Sequence, residues 1–282
     1  MEYRVRRAQW SDLERACEVE AAAVRGLYYL RAVADEFFND QVGELGVVEV
    51  DGVIAGIGKY THLYDGGVWL ETLRVDPIYQ GRGIGKAFYR RFFELADLQG
   101  VNRMGMYTGL NNLVSKGLAL KFGFEVSATY RGANLLLAQH SEELPFVDHG
   151  FKLLDEEQAL LLLNKKSPCW GQHFVMNRTF YPLNEELFKG LAREEKVYYD
   201  EQGDNLLVLG ARFMPETALH IAFYAGDYRK IFNFAYQEAV QRQVEKITIV
   251  FSADHQKVRE EVLAAGYTLE PSDLIVCEWF RK

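Results

Sequence analysis

Only three cysteines occur among 282 residues, Cys17, Cys169 and Cys277, odd in number, far apart and without metal-ligand spacing. A disulfide framework and a sulfur-ligated metal site are both excluded on that count, and the three read as buried thiols of a reducing cytoplasm. The six histidines (His62, His140, His149, His173, His220, His255) form no ligand pattern, so no metal is expected. Long apolar runs are missing as well. The longest purely aliphatic stretch, Ala159-Leu160-Leu161-Leu162-Leu163, is far short of the ~20 residues that a bilayer crossing needs. Met1-Glu2-Tyr3-Arg4 leads into mixed charge rather than a secretion signal, and no membrane role is expected. Basic charge is in deficit, with 32 Lys and Arg against 40 Asp and Glu and a net charge of −8. That argues against nucleic acid as a partner, because phosphate backbones need a basic surface. It is compatible with a cationic substrate. Apolar residues, by contrast, make up 49% of the chain, enough for a well-packed protein, and the length allows two domains.

The most informative stretch is Gln80-Gly81-Arg82-Gly83-Ile84-Gly85-Lys86. It follows a strand-like run, Val68 to Val75, and the turn Asp76-Pro77-Ile78-Tyr79, and it opens a segment of helical periodicity from Ala87 to Leu98. A strand, a glycine-rich turn and a helix start together make an anion cradle. Glycines let the backbone approach the ligand, and the free amides and positive dipole end of the helix face it. Arg82 and Lys86 add two cations. A dinucleotide-binding turn would place its third glycine one residue later, and a nucleoside-triphosphate loop would need one more residue before Gly85-Lys86 and a hydroxyl where Ala87 stands. The pattern that fits is Gln/Arg-x-x-Gly-x-Gly/Ala, through Gln80, Gly83 and Gly85.

On these residues the chain resembles the GNAT superfamily of acyl-CoA N-acyltransferases. Leu70-Glu71-Thr72-Leu73-Arg74-Val75-Asp76-Pro77 is similar to the strand that precedes the family's loop. Arg103 to Thr108 reads as the next strand, Asn112 opens a helical stretch, and Lys121-Phe122-Gly123-Phe124 closes it with a glycine at the C-cap. Upstream, Tyr3 to Ala8 reads as a strand, Ser11 and Glu14 as a capping box, and Val47 to Gly56 as a hairpin around Asp51-Gly52. The resemblance spans about residues 1 to 138.

It implies direct transfer of an acyl group, acetyl above all, from acetyl-CoA to a primary amine in a ternary complex. The backbone of Leu73, Arg74 and Val75 would pair with the pantetheine arm. Gly81, Arg82, Gly83, Ile84, Gly85 and Lys86 would bind the pyrophosphate, with Gln80 completing the turn and Asn112 and Ser115 contacting the arm. Glu71 is the candidate base. Being two residues before Leu73 on the strand, it is expected to share that residue's face of the sheet. The family's usual tyrosine acid would fall at Ala119, a departure that leaves Tyr107 as the candidate acid or an unassisted thiolate. Two other readings stay open: a non-catalytic acyl-CoA binding or sensing protein, and a transferase of longer acyl or aminoacyl groups.

After the polar stretch Gln139 to Pro145, the order of elements repeats. A shift of 143 residues places Gly123-Phe124 on Gly266-Tyr267, Arg103-Met104-Gly105-Met106 on Lys246-Ile247-Thr248-Ile249, and Gly83 on Gly226, without a gap. His173 to Phe180 reads as one strand of this copy. The expected architecture is α/β (α+β): a mixed, mostly antiparallel sheet flanked by helices, present as tandem copies, 1–140 and 148–282. In the second copy Gln80 maps to Phe223, Arg82 to Ala225, Ile84 to Asp227, Gly85 to Tyr228 and Asn112 to His255, so it is expected to bind no acyl-CoA. Its role would be in the substrate pocket or in packing, within a monomer (a pseudo-dimer) or a homodimer.

Overall fold

The computed structural model describes residues 3–24, 26, 28–139 and 149–282. Apart from Gln139, the expected linker Gln139 to Pro145 lies outside the described residues, as does the expected domain start at 148. In chain order the first elements are β1 (Tyr3–Arg7), α1 (Leu13–Ala23), α2 (Ala34–Asn39), β2 (Glu44–Val50), β3 (Val53–His62), β4 (Val68–Val75), α3 (Ile84–Gln99), β5 (Arg103–Gly109), α4 (Leu113–Lys121) and β6 (Glu125–Leu136). The rest are β7 (Lys152–Leu153), α5 (Glu156–Lys166), β8 (His173–Met176), β9 (Thr179–Pro182), α6 (Glu185–Arg193), β10 (Val197–Asp200), β11 (Asn205–Gly210), β12 (Ala218–Ala225), α7 (Tyr228–Gln241), β13 (Lys246–Ser252), α8 (Gln256–Ala264), β14 (Thr268–Leu269) and β15 (Leu274–Phe280). No described helix is long and apolar enough to cross a membrane.

The chain divides into two compact units, neither of which is one continuous segment. The first comprises Met1–Tyr107, Asn112–Val126 and Cys277–Lys282, and the second comprises Thr108–Asn111 and Ser127–Val276. The expected cut between 140 and 148 departs from these units at three places, since 277–282 group with the first and 108–111 and 127–139 with the second.

In the first unit β1 to β5 lie side by side in chain order, antiparallel except for the parallel pair β4 and β5. The β2–β3 hairpin turns at Asp51 (φ 50°) and Gly52 (φ 82°), the left-handed pair that a two-residue turn requires and that the Asp-Gly signal predicts. Helix α3 buries Ile84, Phe88 and Phe92 on β3. Added Cβ atoms would meet the Ile84 side chain at 2.9 Å from Gly56, and Phe88 and Phe92 at 3.0 and 3.1 Å from Gly58. These two glycines therefore set how closely the helix approaches the sheet, and with it where the helix N-terminus lies. At α1 the expected Ser11 and Glu14 box is replaced. A 3-10 turn, Trp10–Asp12, precedes the helix, and Asp12 Oδ2 accepts from the Gln9 amide at 2.7 Å while also pairing with Arg6.

The chain's far end completes this unit. Trp279 packs edge-on to Phe93, centroids 5.0 Å apart, and Glu278 pairs with Arg103 at 3.5 Å. The Arg281 amide donates to Asn102 O (2.8 Å), and its guanidinium donates to Ala96 O and Val101 O, both at 3.1 Å.

In the second unit the order is β6-β13-β12-β11-β10-β7, with β14 against β6. Strand β6 runs antiparallel to β13 from Tyr130 opposite Ser252 to Leu136 opposite Lys246. His173 to Phe180, expected as a single strand, instead falls in the β8–β9 hairpin, which turns at Asn177 (φ 46°) and Arg178 (φ 61°). It occupies the place of the α1–α2 connection, and its Phe174 ring stacks on Phe223 of β12 at 5.1 Å.

The repeat is visible in matching geometry. Helices α4 and α8 start 143 positions apart from caps of one conformation, Asn112 (φ −82°, ψ 77°) and His255 (φ −82°, ψ 76°), and end at Gly123 (φ 82°) and Gly266 (φ 83°). The gapless alignment fails at one point. Strands β4 and β12 are 150 positions apart, because β4 reaches α3 through Asp76–Gly83 whereas β12 reaches α7 through Gly226–Asp227 alone. Phe223 and Ala225 are therefore strand residues, and Gln80 and Arg82 have no counterparts.

Candidate active site

The site is built where β4 parts from β5. Their parallel ladder consists of Val68 opposite Met104 and Trp69 opposite Gly105, and beyond these pairs β4 continues through Val75. In the second unit the corresponding ladder holds four pairs, Ala218 opposite Lys246 through Ile221 opposite Ile249. Unpaired strand backbone on the β5 side of β4 is what an extended ligand needs in order to bind as an added strand.

A bulge lies in the parted stretch. Glu71 is opposite Lys59 and Arg74 is opposite Ile57, so β4 spends one more residue than β3, and Thr72 takes φ 57°. A left-handed conformation in a β-branched residue is an outlier of the kind that collects at functional sites. It also corrects an expectation. Alternation resumes after the bulge so that Arg74, rather than Leu73, shares the face of Glu71, the face opposite α3. The Arg74 side chain thus points away from the helix whose N-terminus forms the cradle, and its Nη1 donates to Leu73 O at 3.0 Å.

Glu71 accepts a hydrogen bond from the Thr61 hydroxyl of β3. Tyr107 falls on the same face of the sheet, its ring parallel to Trp69 at 6.4 Å. Ala119 is fully buried, and its carbonyl accepts from the Phe122 and Phe124 amides at 3.0 and 3.2 Å, so this position presents packing rather than a proton.

The loop that follows is braced from below. Asp76, 7% exposed, accepts from the Ile78 amide (3.1 Å) and from Arg15 of α1 (2.5 Å). Gln80 Nε2 donates to Val75 O at 3.2 Å, closing the turn that the sequence pattern assigned to it. Gly81 (φ 74°) and Gly83 (φ 87°) are both left-handed, and an added Cβ at either would meet nothing within 4 Å. They are glycines for their dihedrals, and the space around them is open. Gly85 has a different reason: its Cβ would lie 2.8 Å from Leu118 of α4. No side chain caps α3, so its first-turn amides are left for a ligand or water. Arg82 lies over the Tyr79 ring at 5.5 Å, and Arg82 and Lys86 are exposed without an acidic partner among the described residues. Cations, open amides and glycine dihedrals together fit a pyrophosphate. Asn112 and Ser115 meet each other, the Asn112 side chain capping α4 by accepting from the Ser115 amide at 3.1 Å.

Among its described residues the second unit has no such cradle. Asp227 caps α7 with its own carboxylate by accepting from the Arg229 amide at 3.0 Å, while its amide donates to Asn205 Oδ1 at 2.7 Å. A Cβ on Gly226 would stand 2.1 Å from that same Asn205 oxygen. Four aromatic residues of the second unit, Tyr181, Tyr198, Phe223 and Tyr224, are buried.

Sequence reasoning missed Tyr29, in the connection between α1 and α2. Its hydroxyl meets Thr72 Oγ1 at the bulge. Burial, and after it the charge of Glu71, push the phenol above its ordinary pKa. The available signal was a pair of tyrosines, Tyr28 and Tyr29, in a short connection between two helices.

Comparison with known proteins agrees with this geometry. Residues 6–124 match the model of the acetyltransferase (GNAT) family. No curated protein sequence matches the chain significantly. A tandem GNAT protein from the clavulanic acid biosynthesis pathway superposes with TM-score 0.66 at 13% identity, covering 99% of this chain and 98% of that one. A GCN5-related N-acetyltransferase from Sphaerobacter thermophilus superposes with TM-score 0.68 at 12% identity, covering 99% and 95%. Likeness over almost the whole of both chains makes the tandem fold plain.

Proposed function

We propose that this tandem GNAT-fold protein transfers an acetyl group from acetyl-CoA to a primary amine, with the first unit alone holding the donor. The observation that carries the reading is the parted β4, ending in a loop tied back by Gln80 and leading to the uncapped N-terminus of α3.

The donor supplies a thioester carbonyl. Leu73 to Val75 hold its arm by backbone pairing, Gly81 to Lys86 hold the pyrophosphate, and Asn112 and Ser115 flank the arm from α4. Glu71 takes a proton from the ammonium so that the nitrogen lone pair is free to attack, and Thr61 keeps its carboxylate oriented. The amides of the Thr72–Leu73 bulge receive the charge that develops on the carbonyl oxygen. The C–N bond forms, the C–S bond breaks, and the sulfur leaves with the electron pair. Tyr107, on the Glu71 face, is the hydroxyl assigned to the departing thiolate.

Calorimetry with acetyl-CoA tests the reading. One site per chain is expected. Two sites would contradict the loss of the second cradle, and none would remove the donor reading. A second reading, an acyl-CoA sensor without turnover, is favoured by the buried Ala119. It predicts one tight site and no acetylation across an amine panel.

A further inference from the structure

Arg74 is half-buried on the face of β4 that carries Glu71, and its guanidinium is largely unused. The Nη1 bond to Leu73 O is its one hydrogen bond among the described residues, and it has no ion pair among them. Nε is enclosed without a partner, and Nη2 is neither bonded nor enclosed. Burial raises the pKa of Glu20 in α1 and of Tyr29, and the Arg74 charge pulls both back. Yet Glu20 Oε2 accepts from the Leu30 amide at 3.0 Å, and its Oε1 is enclosed without a partner among the described residues, so Arg74 is not its bonded counterion. Leaving such donors unmatched costs stability, and packing does not explain the residue. Backbone direction shows where the guanidinium reaches. The Asp76 amide bonds Ala55 O of β3, so by alternation the Leu73 and Val75 carbonyls turn to the parted side of β4. Through Leu73 O the Arg74 side chain is therefore held at the edge along which the donor arm is proposed to lie, on the face of Glu71. A carbonyl has two lone pairs, so that oxygen can serve Nη1 and the arm together.

We propose that Arg74 is an acceptor-binding residue, and that the acceptor is an α- or β-amino acid whose carboxylate pairs with the Arg74 guanidinium while its ammonium lies beside Glu71. The inference rests on the acyl-transfer reading and narrows its acceptor. Across the bulge Glu71 and Arg74 stand opposite Lys59 and Ile57, two residues apart on β3, so their side chains are rooted about 7 Å apart. An anion and a cation separated by one or two carbons fit between groups at that spacing. The planar guanidinium suits a carboxylate, and a half-buried site makes the pair stronger than it is in water. A second ammonium, as in a polyamine, would meet Arg74 with like charge. Of the ammonium's three protons one stays on the amide nitrogen, one ends on the CoA thiol and one passes to solvent. The product is an N-acetylamino acid that keeps its carboxylate.

The test uses the full chain, acetyl-CoA, the common α-amino acids, β-alanine, spermidine and tyramine, and then the carboxamide of whichever amino acid is acetylated fastest. The amino acid should exceed its carboxamide in kcat/KM by about tenfold or more, the worth of a hydrogen-bonded charge pair. Arg74→Met, which removes the charge at similar length, should erase that ratio. It should raise the amino-acid KM about tenfold or more while the carboxamide KM and the acetyl-CoA Kd stay within about twofold. Arg74→Lys should recover part of the ratio, since a point charge replaces the fork. Acetylation of spermidine or tyramine alone, or of the carboxamide as fast as the amino acid, would overturn the proposal and leave acyl transfer standing. Equal losses for amino acid and carboxamide in Arg74→Met, or a parallel loss of acetyl-CoA binding, would mark a merely structural role and overturn it as well. Tight acetyl-CoA binding by the unaltered protein with no acceptor acetylated would sink the acyl-transfer reading, and this inference with it.

Discussion

Trp279 lies almost two hundred residues beyond the proposed donor loop, yet truncating it should damage the unit that holds that loop. Its ring meets Phe93 of α3 edge-on at 5.0 Å, and its Cδ1 would lie 3.7 Å from a Cβ on Gly123. Truncating a fully buried aromatic to alanine costs about 3–5 kcal/mol, so for a half-buried ring about 2 kcal/mol is expected. At about 2–4 °C per kcal/mol for a chain of this size, Trp279→Ala should lower the unfolding midpoint by about 4–8 °C. Removal of Cys277–Lys282 goes further. It strips the buried Cys277 and Glu278 and the Arg281 bonds to Ala96, Val101 and Asn102, and it exposes an edge of β5 to self-association. The assay is amide exchange by segment, with a thermal scan and acetyl-CoA calorimetry on the same protein. Exchange should rise in residues 84–107 of Trp279→Ala while β12 and β13 keep their protection. If protection is lost only within 127–276, the terminal strand does not serve the first unit and the reasoning fails.

Gly83→Asp forces a side chain onto φ 87° and sets a carboxylate in the anion cradle, so acetyl-CoA affinity should fall at least about a hundredfold by calorimetry. Gly226→Asp is unsuitable as its control, since any Cβ there collides with Asn205; Asp227→Asn serves instead and should leave acetyl-CoA binding unchanged. Glu71→Gln keeps an oxygen for Thr61 but cannot take a proton, so kcat should drop about a hundredfold or more at unchanged acetyl-CoA Kd. Undiminished turnover across pH would remove Glu71 as the base. Glu20, with its carboxyl pKa raised by burial, favours folding below the unfolded-state pKa and loses that contribution as pH rises through the folded value. Glu20→Gln should accordingly raise the unfolding midpoint at pH 7 to 8, and the gain should vanish toward pH 4 in thermal scans. A gain that grew on acidification would reverse the sign of the argument.

What was legible in the chain was local. Asp51-Gly52 announces its turn because only a few residue types tolerate two left-handed positions in a row. Gln80 to Lys86 announces a glycine turn running into a helix, because the glycine spacing and the helical periodicity coincide. The rest was hidden for physical reasons. Thr72 is β-branched, so nothing in its identity signals a left-handed bulge, and period-two reading carries Glu71 and Leu73 onto one face. The shorter connection of the second copy escaped notice because helix, strand and helix downstream keep one offset, and only the strand upstream breaks it. Tyr29 sits in a connection with no periodicity, where side-chain direction follows from the tertiary contact of Glu20 with Leu30.

Why a copy without a cradle keeps its fold follows from how the units are composed. The first unit includes Cys277–Lys282, and the chain reaches those residues only by passing through the second. The second in turn takes Ser127 to Leu136 as the partner strand of β13, directly after the first unit's α4. Each unit's buried surface is thus completed by a segment attached to the other's sequence. The two-residue connection and the Asp227 cap leave that composition untouched. Substitutions that unfold the second unit detach β15 from its route and remove Trp279 and Arg281 from α3. The constraint on the second copy is therefore on its core and its strand register, not on its loop chemistry. This ties the stability of the proposed donor site to residues that are not part of it.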